Sequence, residues 1–179
     1  MAFGAKACYN LKRRMYMKWH ELDAMQSEVK RGMTQFRLLT SGDALWEDVR
    51  AYAEGCSWRA GKALSGAMKT GALTGWERVI AAVEGGEICG YCTVARTDCI
   101  PDMPYTPFVG FIFVGEAHRG NRLSQRMIEF AKGYLKSLGF DRVHIVSDHE
   151  NLYERFGFAV IDRRMAPWGE MQKIYMQRL

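Results

Sequence analysis

The chain has 179 residues, of which 48% are hydrophobic and 25% are charged, and its formal net charge is +5. This length and apolar content predict one globular domain with a core of its own. No run approaches the ~18–20 consecutive apolar residues of a membrane span, and the first residues lack the apolar centre of a secretory signal, so we expect a cytoplasmic protein with no membrane partner.

The N-terminal segment, residues 1–34, carries most of the excess positive charge. It holds seven basic and three acidic side chains, whereas residues 35–179 hold 18 basic and 17 acidic ones. Because nucleic-acid binding needs a basic face on the folded body, we predict no nucleic-acid partner. We interpret residues 1–34 as a basic N-terminal extension and residues 35–179 as the folded domain.

The folded domain is predicted to begin with a strand and two helices. Residues 35–40 form a short, apolar-rich strand. Residues 41–43 then offer capping side chains for a helix through Glu54. A second helix, rich in alanine and glycine, is expected over about residues 58–69.

Two β-rich segments, residues 78–83 and 87–96, flank a pair of glycines and predict a hairpin. The second strand contains Cys89 and Cys92, a C-x-x-C pair of the kind found at redox and zinc sites. A redox pair needs its first cysteine at a helix N-terminus, where the thiol pKa falls, and zinc needs a second ligand pair. The chain has five cysteines and neither context, so we expect free thiols and no metal. A thiol redox protein stays an alternative.

The strongest elements follow a loop over residues 97–107, which contains three prolines. Residues 108–114 are continuously apolar, as in a strand at the centre of a sheet. Residues 121–138 have an apolar stripe at helical spacing and end at Gly139. A strand over residues 142–147 follows, and the long helix between the two strands predicts that they are parallel.

The C-terminal part is predicted to contain a short helix, residues 151–156, and two strands, residues 158–162 and 173–179. A Pro-Trp-Gly turn at residues 167–169 lies between the strands. Strands and helices in this order predict a mixed α/β fold in which helices cover one sheet.

The connection from Val114 to Ser124 has the features of an anion site. An apolar strand runs into a short basic loop containing Gly120 and then into a helix. The first N–H groups of a helix have no partner within it, and the helix dipole is positive there. Arg119 and Arg122 add positive charge, so the turn predicts phosphate binding. The alternative is an ordinary strand–helix connection with solvated arginines.

Two segments resemble the GNAT superfamily of N-acetyltransferases. Residues 119–124, Arg-Gly-Asn-Arg-Leu-Ser, are similar to its motif A, Q/R-x-x-G-x-G/A, with Arg122 at the middle glycine and Ser124 at the last position. Residues 153–158, Tyr-Glu-Arg-Phe-Gly-Phe, resemble the family's Y-E-K/R-x-G-F signature. With the closing turn and the last strand, the resemblance covers about residues 35–179.

The resemblance implies a GNAT-like fold, a mostly antiparallel sheet with one splayed parallel strand pair and helices on both faces. It also implies an acetyl-CoA-dependent N-acetyltransferase, an acyltransferase in which the acceptor amine attacks the thioester directly. Backbone groups of Phe113 and Val114 would hold the acetyl thioester, since fixed N–H donors stabilise charge that develops there. Acetyl-CoA would also be bound by Arg119, Gly120, Asn121, Arg122, Leu123 and Ser124.

The resemblance also implies catalytic residues. Tyr153 matches the family's general acid, which protonates the departing CoA thiolate, although an aromatic at this position also fits a plain core residue. Glu116, just past the central strand, is the favoured general base for the ammonium proton. The other candidate bases, each also compatible with an ordinary surface role, are His118, Asp148 and His149.

The resemblance implies that the acceptor enters between the first two helices and the loop over residues 97–107. Acidic side chains there favour a cationic amine, so we expect a small-molecule primary amine, such as an amino acid, a polyamine or an aminoglycoside-like compound. The alternatives are a protein lysine acetyltransferase and a non-catalytic acyl-CoA-binding or regulatory domain that kept the fold. A homodimer is one alternative for the oligomeric state. The region contains Trp46, Trp58, Asp98, Asp102 and Tyr105. The two tryptophans fit core or packing residues better than acceptor contacts.

Overall fold

The computed structural model describes residues 33–179, so residues 1–32 of the predicted extension lie outside the described residues. Two 3₁₀ turns occur at Glu116–His118 and Glu154–Phe156. Within residues 33–179, every helix is too short or too polar to cross a membrane. The helices and strands, in chain order, are β1 Gln35–Leu39, α1 Trp46–Gly55, α2 Ala60–Lys69, β2 Arg78–Glu84, β3 Glu87–Ala95, β4 Phe108–Val114, α3 Leu123–Ser137, β5 Arg142–Ser147, β6 Ala159–Met165 and β7 Met171–Arg178.

The strands form one seven-stranded sheet in the order β1-β2-β3-β4-β5-β7-β6. β3 with β4, β5 with β7 and β6 with β7 are antiparallel, whereas β4 and β5 are parallel. α3 makes the crossover between β4 and β5, as a parallel connection requires. The mixed sheet with one parallel pair is therefore confirmed.

The chain divides into two compact units. The larger unit comprises Phe36–Val83 and Ile88–Leu179, which include every predicted site residue. The described part of the smaller unit is residues 33–35 and the turn Glu84–Glu87. Within that unit the Thr34 hydroxyl donates to a Glu84 carboxylate oxygen at 3.4 Å.

Both faces of the sheet are covered because its strands alternate between two apolar clusters. On β2, Val79 and Ala81 belong to a cluster with α1 and α2, whereas Ile80 and Ala82 belong to a cluster with α3. Full burial of one large apolar side chain contributes roughly 1.5–3 kcal/mol, so these clusters hold the helices on the sheet. The buried helical residues are Trp46, Val49, Ala53, Leu64 and Met68 on one face and Leu123, Met127, Ile128, Ala131 and Leu135 on the other.

The proline-containing loop between β3 and β4 is held against the C-terminal strands. Ile100 is buried with Ala166 and Ile174 in a third apolar cluster. The Tyr105 hydroxyl donates to a carboxylate oxygen of Asp162 on β6 at 3.0 Å. These contacts give the loop a defined position beside β4 and β5.

Several element boundaries differ from the sequence prediction. Helix α1 begins at Trp46, because Asp43 accepts hydrogen bonds from the Thr40 N–H and hydroxyl at 2.7 and 2.8 Å and forms a turn instead of a helix cap. The predicted helix over residues 151–156 is reduced to one 3₁₀ turn. β6 and β7 extend further toward their connecting turn than predicted, since they pair with each other up to Met165 and Met171.

Cys89 and Cys92 lie on β3, as predicted, and neither forms a disulfide. Both are buried in the cluster beneath α3. Burial raises the pKa of the Cys92 thiol, whereas a reactive thiol needs a lowered pKa. This environment argues against the redox alternative.

Candidate active site

β4 and β5 are neighbours in the sheet, yet they separate along most of their length. They share one ladder pair, Phe108 with His144, and the His144 N–H donates to the Pro107 carbonyl oxygen at 2.9 Å. β5 stays paired with β7 from end to end. The two strands therefore diverge toward their carboxyl ends at Val114 and Ser147, and we call the opening between them the cleft.

β4 contains a bulge beside the cleft. Between the pairs Tyr91–Phe113 and Thr93–Gly110, two residues of β4 lie opposite one residue of β3. The first of the two, Phe111, has a φ of 47°. A bulge takes main-chain groups of the longer strand out of the ladder, so β4 presents main-chain groups that its antiparallel partner does not use.

The turn between β4 and α3 has the conformation expected of an anion site. Gly120 and Arg122 have φ values of 84° and 53°, and α3 begins at Leu123 without a side-chain cap. Uncapped first-turn N–H groups and the positive helix dipole attract anions. Arg122 is exposed and adopts a left-handed conformation that favours glycine, at a cost of ~1–2 kcal/mol. The backbone is therefore left-handed at Arg122, the position where the motif that the sequence resembles has its middle glycine.

Arg119 is turned back toward β4. Its Nε donates to the Val114 carbonyl oxygen at 3.1 Å, and its Nη2 lies 2.9 Å from Glu116 Oε1. Its guanidinium carbon lies 5.9 Å from the centre of the Phe113 ring, a cation–π arrangement. Arg119 thus holds the end of β4, and the Val114 carbonyl already has a hydrogen-bond donor.

Tyr153 is buried beside the end of β5, with 7% of its surface exposed. Its ring centre lies 5.3 Å from that of Tyr175. Burial raises the pKa of Tyr153 to about 12, a hydrogen bond from Ser147 opposes this shift, and the charge of Asp98 adds to it. The phenol is therefore protonated at neutral pH and can act as a proton donor.

A cavity of about 340 Å³ lies between α1 and the end of β4. We call it the acceptor cavity for the role proposed below; no residue of the loop 97–107, where the sequence predicts the acceptor to enter, lines it. Glu116 is exposed at its edge and accepts hydrogen bonds from the Ser57 hydroxyl and from Arg119. These hydrogen bonds, that of Ser57 above all, lower the pKa of Glu116, which makes its carboxylate a weaker base. The lining residues are Ala51, Tyr52, Gly55, Cys56, Ser57, Phe113 and Glu116.

Aromatic rings surround the part of β4 next to the acceptor cavity. Trp58 stacks on Phe113 with ring centres 6.3 Å apart and meets Phe111 edge-on at 6.4 Å. Tyr52 meets Phe113 edge-on at 6.2 Å. Trp58 keeps 40% of its surface exposed, whereas Trp46 is 5% exposed and belongs to the core. Of these two predicted acceptor-region tryptophans, Trp58 is thus the accessible one.

Asp98 lies just after β3 and is half-buried. Its Oδ2 lies 2.9 Å from the position that a Cβ on Gly110 would occupy. Burial raises the pKa of Asp98 to about 6. The sequence places Asp98 among the acidic side chains that favour a cationic amine in the acceptor region, and it does not name Asp98 as a candidate base.

The remaining candidate bases lie outside the cleft's buried part. Asp148 and His149 are exposed just after β5, with His149 Nδ1 3.3 Å from Asp148 and 3.0 Å from the Ser147 hydroxyl oxygen. His118 is half-buried in the 3₁₀ turn that follows β4. Through Ser147, His149 is connected to Tyr153, so its position suits proton exchange with solvent.

A comparison with protein families identifies the class of this protein. The model of the family described as "Acetyltransferase (GNAT) family" matches residues 43–158. The chain therefore belongs to the GNAT family of acetyltransferases. No curated protein matches its sequence.

Solved structures share the fold at low sequence identity. An acetyltransferase from Streptococcus agalactiae is 18% identical, with a TM-score of 0.58 over 82% of this chain and 98% of that chain. A GNAT acetyltransferase from Elizabethkingia anophelis with acetyl-CoA bound is 15% identical, with a TM-score of 0.59 over 82% and 98%. Aminoglycoside 6′-acetyltransferase type Ii is 15% identical, with a TM-score of 0.63 over 80% and 96%. At these identities the likeness shows a common fold.

Proposed function

We propose that the chain is an N-acetyltransferase that moves an acetyl group from acetyl-CoA to the primary amine of a small molecule. The observation that carries this proposal is the cleft, because β4 and β5 share one ladder pair and then separate. The cleft offers space for a thioester arm between the uncapped start of α3 and the buried Tyr153. Two structures of the same fold, one with acetyl-CoA bound and one of an aminoglycoside acetyltransferase, support the two substrate classes.

The start of α3 suits the pyrophosphate of acetyl-CoA. Its first N–H groups, from Leu123 and Ser124 onward, lack a side-chain cap and carry the positive end of the helix dipole. Nothing lies within 4 Å of the place where a Cβ on Gly120 would stand, so the main chain can be approached there. Arg122 adds an exposed positive charge. In this proposal the main-chain groups of residues 119–124 bind the pyrophosphate and Arg119 supports β4.

The proposed reaction is a direct transfer. The amine lone pair attacks the thioester carbonyl carbon, and main-chain donors of β4 near Phe113 and Val114 stabilise the developing oxyanion. Such a donor contributes about 2.7–4 kcal/mol in enzymes where one has been removed. As the C–S bond breaks, Tyr153 gives its proton to the CoA thiolate. The Ser147–His149 hydrogen bond of 3.0 Å offers Tyr153 an exchange route to solvent.

The acceptor cavity favours a small cationic amine with an apolar or aromatic body. Tyr52 and Phe113 line it, and Trp58, which is 40% exposed, stacks on Phe113. Aromatic faces attract ammonium groups by about 0.5–2 kcal/mol. Glu116 adds a carboxylate at the edge of the cavity. We therefore propose that the Glu116 carboxylate binds the positive charge of the acceptor. Its lowered pKa keeps the carboxylate ionised for this role.

Acetyl-CoA titration of the full chain tests the co-substrate. A ligand at 100-fold its Kd stabilises a fold by about 2.7 kcal/mol, which corresponds to a rise in Tm of roughly 5–10 °C for a chain of this size. No rise in Tm at millimolar acetyl-CoA would contradict the proposal.

Thiol release over a panel of small amines, with a lysine-containing peptide as comparator, then tests the acceptor. Thiol release with small amines supports the proposal, and thiol release with the peptide alone assigns the protein to the lysine acetyltransferases. A rise in Tm without release identifies a binding domain. The cytoplasmic location, the homodimer and the lack of a nucleic-acid partner stay predictions from the sequence.

A further inference from the structure

Asp98 is a half-buried acid without a cationic partner in the described part of the chain. Its hydrogen bonds are with Cys99, whose N–H donates to Oδ1 at 2.7 Å. Burial raises its pKa and the Cys99 hydrogen bonds lower it, and no Lys, Arg or His of residues 33–179 is among the causes of the shift. An acid removed from water without a cation is destabilising, so the fold gains nothing from the charge of Asp98.

A loop-capping role alone does not explain this burial. Asp162 makes the same bond, since the N–H of the next residue, Arg163, donates to its Oδ1 at 2.7 Å. Asp162 also pairs with Arg164 at 2.7 Å and accepts from Tyr105 at 3.0 Å. The same hydrogen bond from the next N–H is therefore available to a carboxylate with a cationic partner, and Asp98 differs from Asp162 by lacking such a partner.

The structure keeps a place for the Asp98 carboxyl against β4. A Cβ on Gly110 would meet Oδ2 at 2.9 Å and Cγ at 3.2 Å, so any side chain at Gly110 would displace the carboxyl. Gly110 immediately precedes Phe111, the first residue of the bulge. The carboxyl thus lies against β4 one residue before the bulge, whose main-chain groups fall outside the β3–β4 ladder.

Asp98 and Tyr153 interact electrostatically. Burial is the main cause of the raised pKa of the Tyr153 phenol, Ser147 opposes it, and the negative charge of Asp98 raises the pKa further. Asp98 approaches from the β3–β4 loop and Tyr153 from the segment after β5. A proton acceptor and a proton donor therefore come from the segments that follow β3 and β5, the strands on either side of β4.

We propose that Asp98 is the general base that takes the proton from the acceptor ammonium group, an inference that rests on the proposed function. The ammonium N–H proton passes to the Asp98 carboxylate, and the freed lone pair forms the C–N bond. The C–S bond then breaks, Tyr153 protonates the thiolate, and the second nitrogen proton restores Tyr153. Asp98 releases its proton to solvent, so one acyl-CoA and one ammonium give one amide, one thiol and one proton.

The environment of Asp98 suits this role better than that of Glu116. A base works best with a pKa near the working pH, and burial brings the pKa of Asp98 to about 6. Glu116 has a lowered pKa and two hydrogen-bond donors that compete for the same oxygen. The titratable groups facing Asp98 are Cys99 and Tyr153, and both have raised pKa values, so Asp98 alone among the three titrates below neutrality.

The test compares Asp98→Asn with the wild type and with Asp162→Asn as the matched control. Thiol release is measured from pH 5 to 9 with an amine whose own pKa lies above this range. Wild-type kcat/KM should fall below about pH 6, and Asp98→Asn should lose that limb together with about 10²–10⁴ in rate, while acetyl-CoA still raises its Tm. Asp162→Asn should stay within roughly twofold of the wild type, because its ion pair contributes little to stability and β6 lies three strands from β4.

Chemical rescue separates a proton acceptor from a structural residue. Asp98→Ala removes the carboxyl, and added formate should restore part of its turnover, whereas the same formate should leave Tyr153→Phe unchanged. An Asp98→Asn variant with wild-type turnover and an intact acidic limb would overturn the inference while leaving the proposed function standing. A wild type that releases no thiol with any amine overturns both.

Discussion

Replacing Asp98 with asparagine should make the protein more stable at pH 8. The native pKa of Asp98 is about 6 against an ordinary value of 3.8, because burial disfavours the charged carboxylate. About two pKa units correspond to roughly 3 kcal/mol, and the partial exposure of the side chain reduces this to an expected gain of about 1–3 kcal/mol. Asparagine keeps an oxygen for the Cys99 N–H and introduces no charge.

The gain should depend on pH with a defined sign. Below pH 3.8 the carboxyl is protonated in the folded and unfolded chains, so the penalty is absent. Between pH 3.8 and about 6 the unfolded chain loses its proton first, so wild-type stability falls relative to the asparagine variant. Above pH 6 the difference should be constant.

Urea denaturation at pH 4 and pH 8 measures this difference directly. Asp162→Asn is the control of opposite sign, because the hydrogen bond from Arg164 lowers the pKa of Asp162. Asp162 therefore stabilises the fold above its ordinary pKa, and that stability is lost as the pH falls. An Asp98→Asn variant no more stable than wild type at pH 8, or equally shifted at both pH values, would refute a destabilising charge on Asp98.

Three further predictions concern the acid, the helix contact and the anion site. Tyr153→Phe should lower turnover by about 10²–10⁴ with nearly intact acetyl-CoA affinity, and unchanged turnover when chemistry limits the rate would exclude Tyr153 as the acid. Gly61→Ala should destabilise the fold by about 1–3 kcal/mol in urea denaturation, because its Cβ would clash with the Ala53 carbonyl oxygen and the Cys56 sulfur, whereas Gly66→Ala on the same helix meets nothing within 4 Å and should be neutral or stabilising. Arg122→Glu should weaken acetyl-CoA binding roughly tenfold or more, a loss of about 1.4 kcal/mol in binding free energy. Arg122→Gly keeps the left-handed backbone, so its loss of binding free energy should be less than half as large. Equal affinities of the two variants in titration calorimetry would contradict a pyrophosphate at this turn.

The elements that the sequence predicts well have strong local signals. The continuously apolar β4 and the amphipathic α3 stop within about two residues of their predicted ends. The sequence also predicts a cap for α1 at residues 41–43, but Asp43 binds Thr40 instead. An aspartate side chain can accept backbone hydrogen bonds either as a helix cap or within a turn. Composition alone therefore does not predict which of the two Asp43 forms.

The candidate site also has parts that local sequence signals predict and parts that they do not. Each of the segments 119–124 and 153–158 is an unbroken stretch of sequence that resembles a motif of the family. The sequence alone therefore predicts the anion turn and the role of Tyr153. The preference for Glu116 as the base follows from its position after β4. The hydrogen bonds that lower its pKa come from Ser57 and Arg119, and the Ser57 contact joins residues far apart in the chain.

The sequence by itself determined the family, the mixed sheet and the position of the turn between β4 and α3, because each depends on neighbouring residues and on main-chain geometry that local patterns specify. The tertiary structure decided how far β4 and β5 separate, where Arg119 points and which acid lies beside the bulge. Asp98 has a raised pKa because the fold buries it against Gly110 and supplies no cation within the described residues. Burial and charge pairing are properties of residues brought together from distant segments, and for that reason they emerge only when the chain is folded.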